Sequence, residues 1–170
     1  MGGYFINLID KKLHLHSNLK SKIDIFSFDM KITCENMRFE NWEYPMIEHN
    51  KPTIYNWLVQ HPENLKLGYK SDIGAFTYIN AKKTVIIEDF VQIGSHCSIY
   101  SISTIDNMEG EVVLKKNCKI GSYSMITPGV TIGENSVIGA FSFVNKDIPQ
   151  NVLAYGVPVK IIRTLKENEF

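Results

Sequence analysis

His96 is the only histidine that follows residue 61 in the chain, and histidine is the side chain best suited to acid–base chemistry. It lies in the segment Ile93-Gly-Ser-His-Cys-Ser-Ile. An imidazole exchanges a proton near neutral pH, and a base of this kind can remove the proton of an attacking hydroxyl group. The alternative is a solvated histidine without a catalytic role. His96 is therefore the candidate catalytic base.

Two further polar residues, Asp106 and Asn107, lie in the stretch Ile105-Asp-Asn-Met-Glu-Gly. Their side chains can orient a bound molecule by hydrogen bonding, or they can stabilise a turn, because Asp and Asn readily bond nearby backbone groups. They are the candidate substrate-binding residues. One histidine in this region does not supply the three imidazole ligands of a catalytic zinc ion, so no metal is expected.

These residues stand within a six-residue repeat. A small or β-branched residue precedes most of the aliphatic positions by two residues, and glycine often follows them. Two residues are added to the period before Ile87 and three before Leu114. The aliphatic positions are Leu67, Ile73, Ile79, Ile87, Ile93, Ile99, Ile105, Leu114, Ile120, Ile126, Ile132, Ile138 and Val144.

The period of six excludes a helix and predicts strands. Six residues turn an α-helix by about 600°, so the aliphatic side chains would point to all sides. In a strand, positions two apart share a face, so the small residue and the aliphatic residue both point inward. A turn in every repeat then coils short strands around one interior, which predicts an all-β parallel β-helix. Counting the six-residue repeats in this way predicts that the Ile105 side chain lies inside the coil. It also predicts that Tyr123 lies on a different edge of the coil from His96.

Three segments carry a resemblance to a known family. They are Ile120-Gly-Ser-Tyr-Ser-Met-Ile-Thr-Pro-Gly-Val-Thr-Ile-Gly-Glu-Asn-Ser-Val-Ile-Gly-Ala, Asn145-Lys-Asp-Ile-Pro-Gln-Asn-Val and Gly156-Val-Pro-Val-Lys-Ile-Ile-Arg. They resemble the hexapeptide-repeat acyltransferases, in particular the sugar and amino-sugar acetyltransferases of polysaccharide biosynthesis. The resemblance implies a left-handed β-helix with three hexads per turn, here about four coils, and a homotrimer.

The resemblance also implies an acyl donor, acetyl-CoA, bound in a groove between neighbouring subunits. Main-chain groups near Ser122, Ala140 and Ser142 would bond the pantetheine arm, and Tyr123 would line the groove. Asn145, Lys146, Lys160 and Arg163 would lie towards the nucleotide, where positive charge suits phosphates. The alternative for the basic residues is a solvated charge at the end of the coil.

Three functions remain open at this point. Many sugar O-acetyltransferases of the family carry their catalytic histidine beside the long loop, and residues 105–110 contain none. This favours an amine acceptor, which needs less help in losing its proton, and suggests a nucleotide-linked amino sugar. The alternatives are an O-acetyltransferase with His96 as general base and a non-catalytic β-helix scaffold.

The two ends of the chain lack the hexad. Residues 1–62 are expected to form a capping region on the substrate side, with Phe26, Phe28, Met30 and Ile32 alternating as in a strand. The β-helix is expected over 63–157. Residues 158–170 are expected to form a short amphipathic helix with Pro158 at its first position.

The composition excludes several classes of protein. Eighteen Lys and Arg balance eighteen Asp and Glu in 170 residues, which does not suit a nucleic-acid partner. No apolar run approaches the roughly 18 residues that span a bilayer, so membrane insertion is not expected. Three cysteines without Cys-x-x-Cys spacing indicate reduced thiols and a cytoplasmic protein.

Overall fold

The structure is a computed structural model that describes residues 41–166 and Glu169. The strand predicted around residues 26–32 lies outside the described residues. Apart from one turn of 3-10 helix at Pro62–Asn64, the regular elements are strands. In chain order they are β1 (Leu58–Gln60), β2 (Leu65–Leu67), β3 (Asp72–Ile73), β4 (Tyr78–Asn80), β5 (Val85–Ile87), β6 (Gln92–Ile93), β7 (Ser98–Tyr100), β8 (Ile102–Ser103), β9 (Met108–Glu109), β10 (Val112–Leu114), β11 (Lys119–Ile120), β12 (Met125–Ile126), β13 (Thr131–Ile132), β14 (Val137–Ile138), β15 (Phe143–Val144), β16 (Val152–Tyr155) and β17 (Lys160–Thr164).

Successive strands pass to three parallel sheets in turn, which form the three faces of a prism. Face 1 has the order β1-β4-β7-β12-β15, face 2 the order β2-β5-β10-β13, and face 3 the order β3-β6-β11-β14-β16. The prediction of an all-β parallel β-helix is confirmed. There are about five coils instead of four, because the first coil begins at β1, inside the segment assigned to the cap.

The aliphatic positions of the repeat form ladders inside the prism. On face 1, for example, Ile79, Ile99, Ile126 and Val144 are stacked in register and completely buried. Burying a side chain of this size contributes about 1.5–3 kcal/mol. The inward serines are hydrogen-bonded, as when Ser136 donates to the carbonyl of Pro149 at 2.6 Å. Among the described residues, no buried side-chain polar atom is left without a partner.

The glycines that follow the aliphatic positions are required by the close approach of the coils. A Cβ atom on Gly94 would lie 2.5 Å from the backbone nitrogen of Ser122, well inside van der Waals contact. The left-handed backbone conformation falls two residues later, at His96 (φ 59°) and Tyr123 (φ 61°). The corner is therefore turned by residues that carry side chains, and glycine makes room between coils.

One prediction about the repeat is wrong. Ile105 is 96% exposed, because residues 102–110 form a hairpin that projects from the corner between β7 and β10. The N–H of Gly110 donates to the carbonyl of Ser101 at 3.0 Å, which closes the corner beneath the hairpin. The buried Ser101 hydroxyl donates to the carbonyl of Asn80 at 2.8 Å, and Lys83 pairs with Glu109 at 3.0 Å. The hairpin is thus fastened to the coil below it.

The predicted C-terminal helix is also wrong. Lys160–Thr164 form β17, which pairs antiparallel with β16, and Leu153 lies opposite Arg163. The last coil offers the free edge of β16, and pairing with it satisfies backbone groups that an isolated short helix would leave to water. Val159 and Leu165, which flank β17, are buried and anchor it. Within the described residues, no helix has the length and apolar character needed to cross a membrane.

Candidate active site

A cavity of about 590 Å³ lies between the hairpin and the outer surface of face 1. The hairpin supplies one wall and the outward-facing residues of face 1 supply the other. The lining residues are Asn80, Tyr100, Ile102, Ser103, Thr104, Ile105, Asp106, Met108, Met125, Thr127, Pro128, Phe143 and Asn145.

The register of face 1 explains which side chains form the floor of the cavity. Met125 is paired with Phe143 across neighbouring coils, and Asn80 is paired with Tyr100. All four alternate with the inward ladder, so they point outward. Met125 is 40% exposed. The floor therefore offers an aromatic and thioether surface beside a carboxamide.

The ionic character of the cavity comes from Asp106. The described lining residues include this one carboxylate and no lysine, arginine or histidine. A hydrogen bond from the side chain of Ser103 lowers the pKa of Asp106, so the carboxylate stays ionised at neutral pH. Its Oδ1 also accepts the backbone N–H of Met108 at 3.4 Å. The cavity is suited to a neutral or cationic ligand and disfavours a phosphate inside it.

His96 lies at the corner between faces 3 and 1, in a column of exposed aromatic rings formed by Phe76, His96, Tyr123 and Phe141. The ring centroid of His96 is 4.9 Å from that of Phe76 and 4.7 Å from that of Tyr123, and Tyr123 stacks on Phe141 at 5.0 Å. Placing Tyr123 on a different edge from His96 was therefore wrong. The prediction counts Ile105 as a repeat position, although it lies in the hairpin. Each residue after the hairpin is therefore assigned to a corner one repeat away from its true corner.

The residues expected to hold the coenzyme are spread over several parts of the prism. Ser122 and the exposed Ala140 lie at the corner of the aromatic column, where the N–H of Phe141 donates to the carbonyl of Ser122 at 3.0 Å. Ser142 is buried, and its hydroxyl donates to the carbonyl of Gly139 at 2.6 Å and accepts the N–H of Gly156 at 3.2 Å. Its side chain thus serves the interior of the coil.

The remaining coenzyme candidates are exposed. Asn145 lines the cavity and Lys146 follows it at the corner after β15. Lys160 and Arg163 lie on β17, at the edge of face 3. The Arg163 guanidinium pairs with Glu169 at 2.6 Å, and this hydrogen bond lowers the pKa of Glu169 to about 2. Arg163 therefore has a partner that a coenzyme phosphate would have to displace.

The structure brings together some of the predicted residues and not others. Asp106 and Asn145 line the same cavity, and His96 stacks on Tyr123. Asn107 is exposed in the hairpin turn and is not a lining residue, and His96 does not line the cavity of its own chain. Sequence reasoning missed the floor of the cavity, above all Tyr100 and Phe143. For Tyr100 the sequence held a signal, because it alternates with the inward Ile99 just before the insertion. Phe143 is far from the insertion in sequence and reaches the cavity only through the stacking of the coils.

Comparison with known proteins supports the family. The profile described as bacterial transferase hexapeptide (six repeats) matches residues 111–146. The galactoside O-acetyltransferase of Escherichia coli is 36% identical over 129 residues, which are 67% of this chain and 64% of that protein. The corresponding enzyme of Lactococcus lactis is 31% identical over 131 residues, 68% of this chain and 63% of that protein.

Solved structures show the same fold. A hexapeptide-repeat acetyltransferase from Vibrio cholerae, in complex with acetyl coenzyme A, has a TM-score of 0.62 at 28% identity, over 65% of this chain and 66% of that one. A galactoside acetyltransferase in complex with coenzyme A has a TM-score of 0.62 at 30% identity, over 72% of this chain and 66% of that one. The chain spans just under two thirds of the length of these relatives. The fold class is their left-handed parallel β-helix. By its repeat, its fold and these matches, the chain belongs to the hexapeptide-repeat acyltransferase family.

Proposed function

We propose that the protein is an acetyl-CoA-dependent acetyltransferase that acts on a sugar, on the amino group of a nucleotide-linked amino sugar. The observation that carries the proposal is the cavity beneath the hairpin, with one ionised carboxylate and, among its described lining residues, no cationic side chain. Relatives with coenzyme A or acetyl coenzyme A bound support the acyl donor. We place the reaction in polysaccharide synthesis in the cytoplasm, which suits the free thiols of Cys97 and Cys118.

The charge of the cavity favours an amine as acceptor. An amino group enters as an ammonium ion, and the Asp106 carboxylate attracts that charge and accepts its N–H bonds. Loss of one ammonium proton to water frees the nitrogen lone pair, which attacks the thioester carbonyl. The C–S bond breaks as the amide bond forms, and a second proton passes from nitrogen to the leaving sulfur, so that coenzyme A departs as the thiol. Much of the catalysis is then positioning of the amine, which oriented binding can supply.

The floor of the cavity suits a pyranose ring. Tyr100 presents an aromatic ring to the apolar face of a sugar, while Asn80, Thr127 and Asn145 offer hydrogen bonds to hydroxyl groups. A diphosphate would lie outside the cavity, where Lys146 is exposed. Coenzyme phosphates would be held by Lys160 and by Arg163 once Glu169 has been displaced.

A second candidate is O-acetylation of a sugar hydroxyl. The two galactoside O-acetyltransferases named above favour it, at 36% and 31% identity. A hydroxyl needs a base, and His96 would have to serve, since the described lining residues of the cavity include no histidine. Because His96 does not line the cavity of its own chain, this mechanism needs a groove completed by a neighbouring subunit.

The test is an acetyltransferase assay with matched acceptors. The full chain is given acetyl-CoA and pairs of sugars, free and nucleotide-linked, that differ only in carrying an amino or a hydroxyl group at one carbon. Release of coenzyme A thiol and the mass of the acetylated product are measured. We expect turnover of an amino sugar and little of its hydroxyl partner. Turnover of the hydroxyl partner alone would select O-acetylation. If the chain showed neither turnover nor binding of the coenzyme, the non-catalytic scaffold would be favoured.

Replacing Asp106 with asparagine tests the charge in the cavity. A hydrogen bond to a charged group contributes about 1.5–3 kcal/mol, so kcat/KM for the amine acceptor should fall by roughly 10–150-fold. KM for acetyl-CoA should stay unchanged. The matched control is Glu111→Gln, which removes an exposed carboxylate immediately after the hairpin and outside the cavity lining. Equal losses in the two variants would contradict the role of Asp106.

A homotrimer with acetyl-CoA at the subunit boundaries is the expected assembly. The aromatic column supports self-association because it is an exposed apolar surface. Its rings Phe76, Tyr123 and Phe141 are 65%, 52% and 67% exposed. Sedimentation velocity should give the mass of three chains at micromolar concentration. A monomer under these conditions would contradict the trimer and would place the coenzyme on a single chain.

A further inference from the structure

A second group of chemistry-bearing side chains lies outside the repeat and outside the cavity. His49 belongs to the segment before β1 and forms a bridge with Val59. His61 and Glu63 follow β1, in the corner that leads to β2. One ligand atom from each of His49, His61 and Glu63 lies within 4.8 Å of the other two.

The contacts within this group already orient the side chains. His61 Nδ1 lies 3.1 Å from Glu63 Oε1, and the backbone N–H of His61 donates to His49 Nδ1 at 3.1 Å. The two imidazole rings meet edge to face, with their centroids 5.1 Å apart.

The distances can be closed to those of a metal centre. Bonds of about 2.0–2.1 Å in a tetrahedral zinc site put the donor atoms roughly 3.3 Å apart. His49 and Glu63 are exposed, so rotation of their side chains can supply the remaining movement. If His49 Nδ1 bound the metal, it would lose the hydrogen bond from the His61 backbone N–H. Water could then accept from this N–H, since the bond is exposed.

We propose that His49, His61 and Glu63 bind a divalent transition-metal ion such as zinc, with water completing the coordination. The ion would join the segment before β1 to the corner after it and so fasten the entry of the chain to the first coil. This proposal departs from the sequence-based expectation that the protein holds no metal, which rested on the single histidine of the repeat. The site lies outside the repeat and takes no part in the proposed acyl transfer.

The test is isothermal titration of zinc into the metal-free full chain, without an affinity tag. We expect one zinc ion per chain with a dissociation constant in the micromolar range or below. His49→Ala and His61→Ala should each weaken this binding by at least about tenfold, since even loss of an outer partner of a metal ligand weakens binding by 10–100-fold. Magnesium should give no heat, because it prefers oxygen ligands.

Controls make the outcome decisive, because His14 and His16 offer imidazoles elsewhere in the chain. His96→Ala should bind zinc as the unaltered chain does. Each variant is first checked for an unchanged melting temperature without metal, and zinc should raise that temperature in the unaltered chain and not in His49→Ala. Undiminished binding in His49→Ala and His61→Ala, or binding only at millimolar zinc, would overturn the proposal.

Discussion

His96→Ala is expected to lower kcat by roughly 10²–10⁴-fold if the acceptor is a hydroxyl, with acetyl-CoA affinity nearly intact. The imidazole would then remove the hydroxyl proton as the thioester carbonyl is attacked. If the acceptor is an amine already partly neutral at the working pH, positioning supplies much of the rate and the loss should be smaller. Steady-state kinetics with the matched amino and hydroxyl sugars, from about pH 6 to 9, separates these cases.

The aromatic column provides the control for this experiment. Phe76→Ala removes a ring that packs on His96 at 4.9 Å and leaves the imidazole in place. A catalytic His96 requires a much larger loss in His96→Ala than in Phe76→Ala. Equal losses would show that the column matters only as a surface. Full activity of His96→Ala across the pH range would remove His96 from the mechanism and direct attention to Asp106 and Tyr123.

Ile132→Asp is expected to abolish folding. Ile132 is completely buried on face 2, where it is paired with Leu114 and bridges to Ile148. An unpaired carboxylate at this position costs several kcal/mol, comparable with the whole stability of many domains. Circular dichroism should show no cooperative thermal transition, and the chain should be recovered mainly as aggregate.

Two companion variants keep this prediction quantitative. Ile132→Ala should fold and lose about 2–5 kcal/mol in urea unfolding, because it leaves a cavity in the ladder. Val113→Asp places the same charge on the neighbouring strand at an outward position and should fold. An unaltered melting temperature in Ile132→Asp would mean that the inward register is wrong.

The inward ladders could be predicted because the aliphatic residues that recur in the sequence are the same residues that stack inside the prism. A six-residue period with small and aliphatic residues two apart allows few arrangements besides a coil of short strands. Ile105 was misplaced because it stands six residues after Ile99, so spacing alone did not distinguish an insertion from another repeat. What separates the two is the hairpin, which depends on pairing between β8 and β9.

The C-terminal segment shows the limit of a local pattern. Ile161, Ile162 and Leu165 have helical spacing, yet the free edge of β16 decides their conformation. An edge is a property of the assembled coil and is absent from any short window of sequence. The cavity was only half predicted for the same reason. Asp106 was found as a polar residue in the loop, whereas Tyr100 and Phe143 gain their role only when coils stack.

The corner beneath the hairpin is closed by a backbone hydrogen bond between Ser101 and Gly110, whatever lies between them. Residues 102–109 can therefore be regarded as a cassette carried by a finished scaffold. Exchanging the cassette for that of a relative would replace one whole wall of the cavity and leave the ladders of the prism untouched. Replacing this loop can then change the acceptor preference without any change in the packing of the core. This corner is therefore where the protein can be engineered to accept other acceptors.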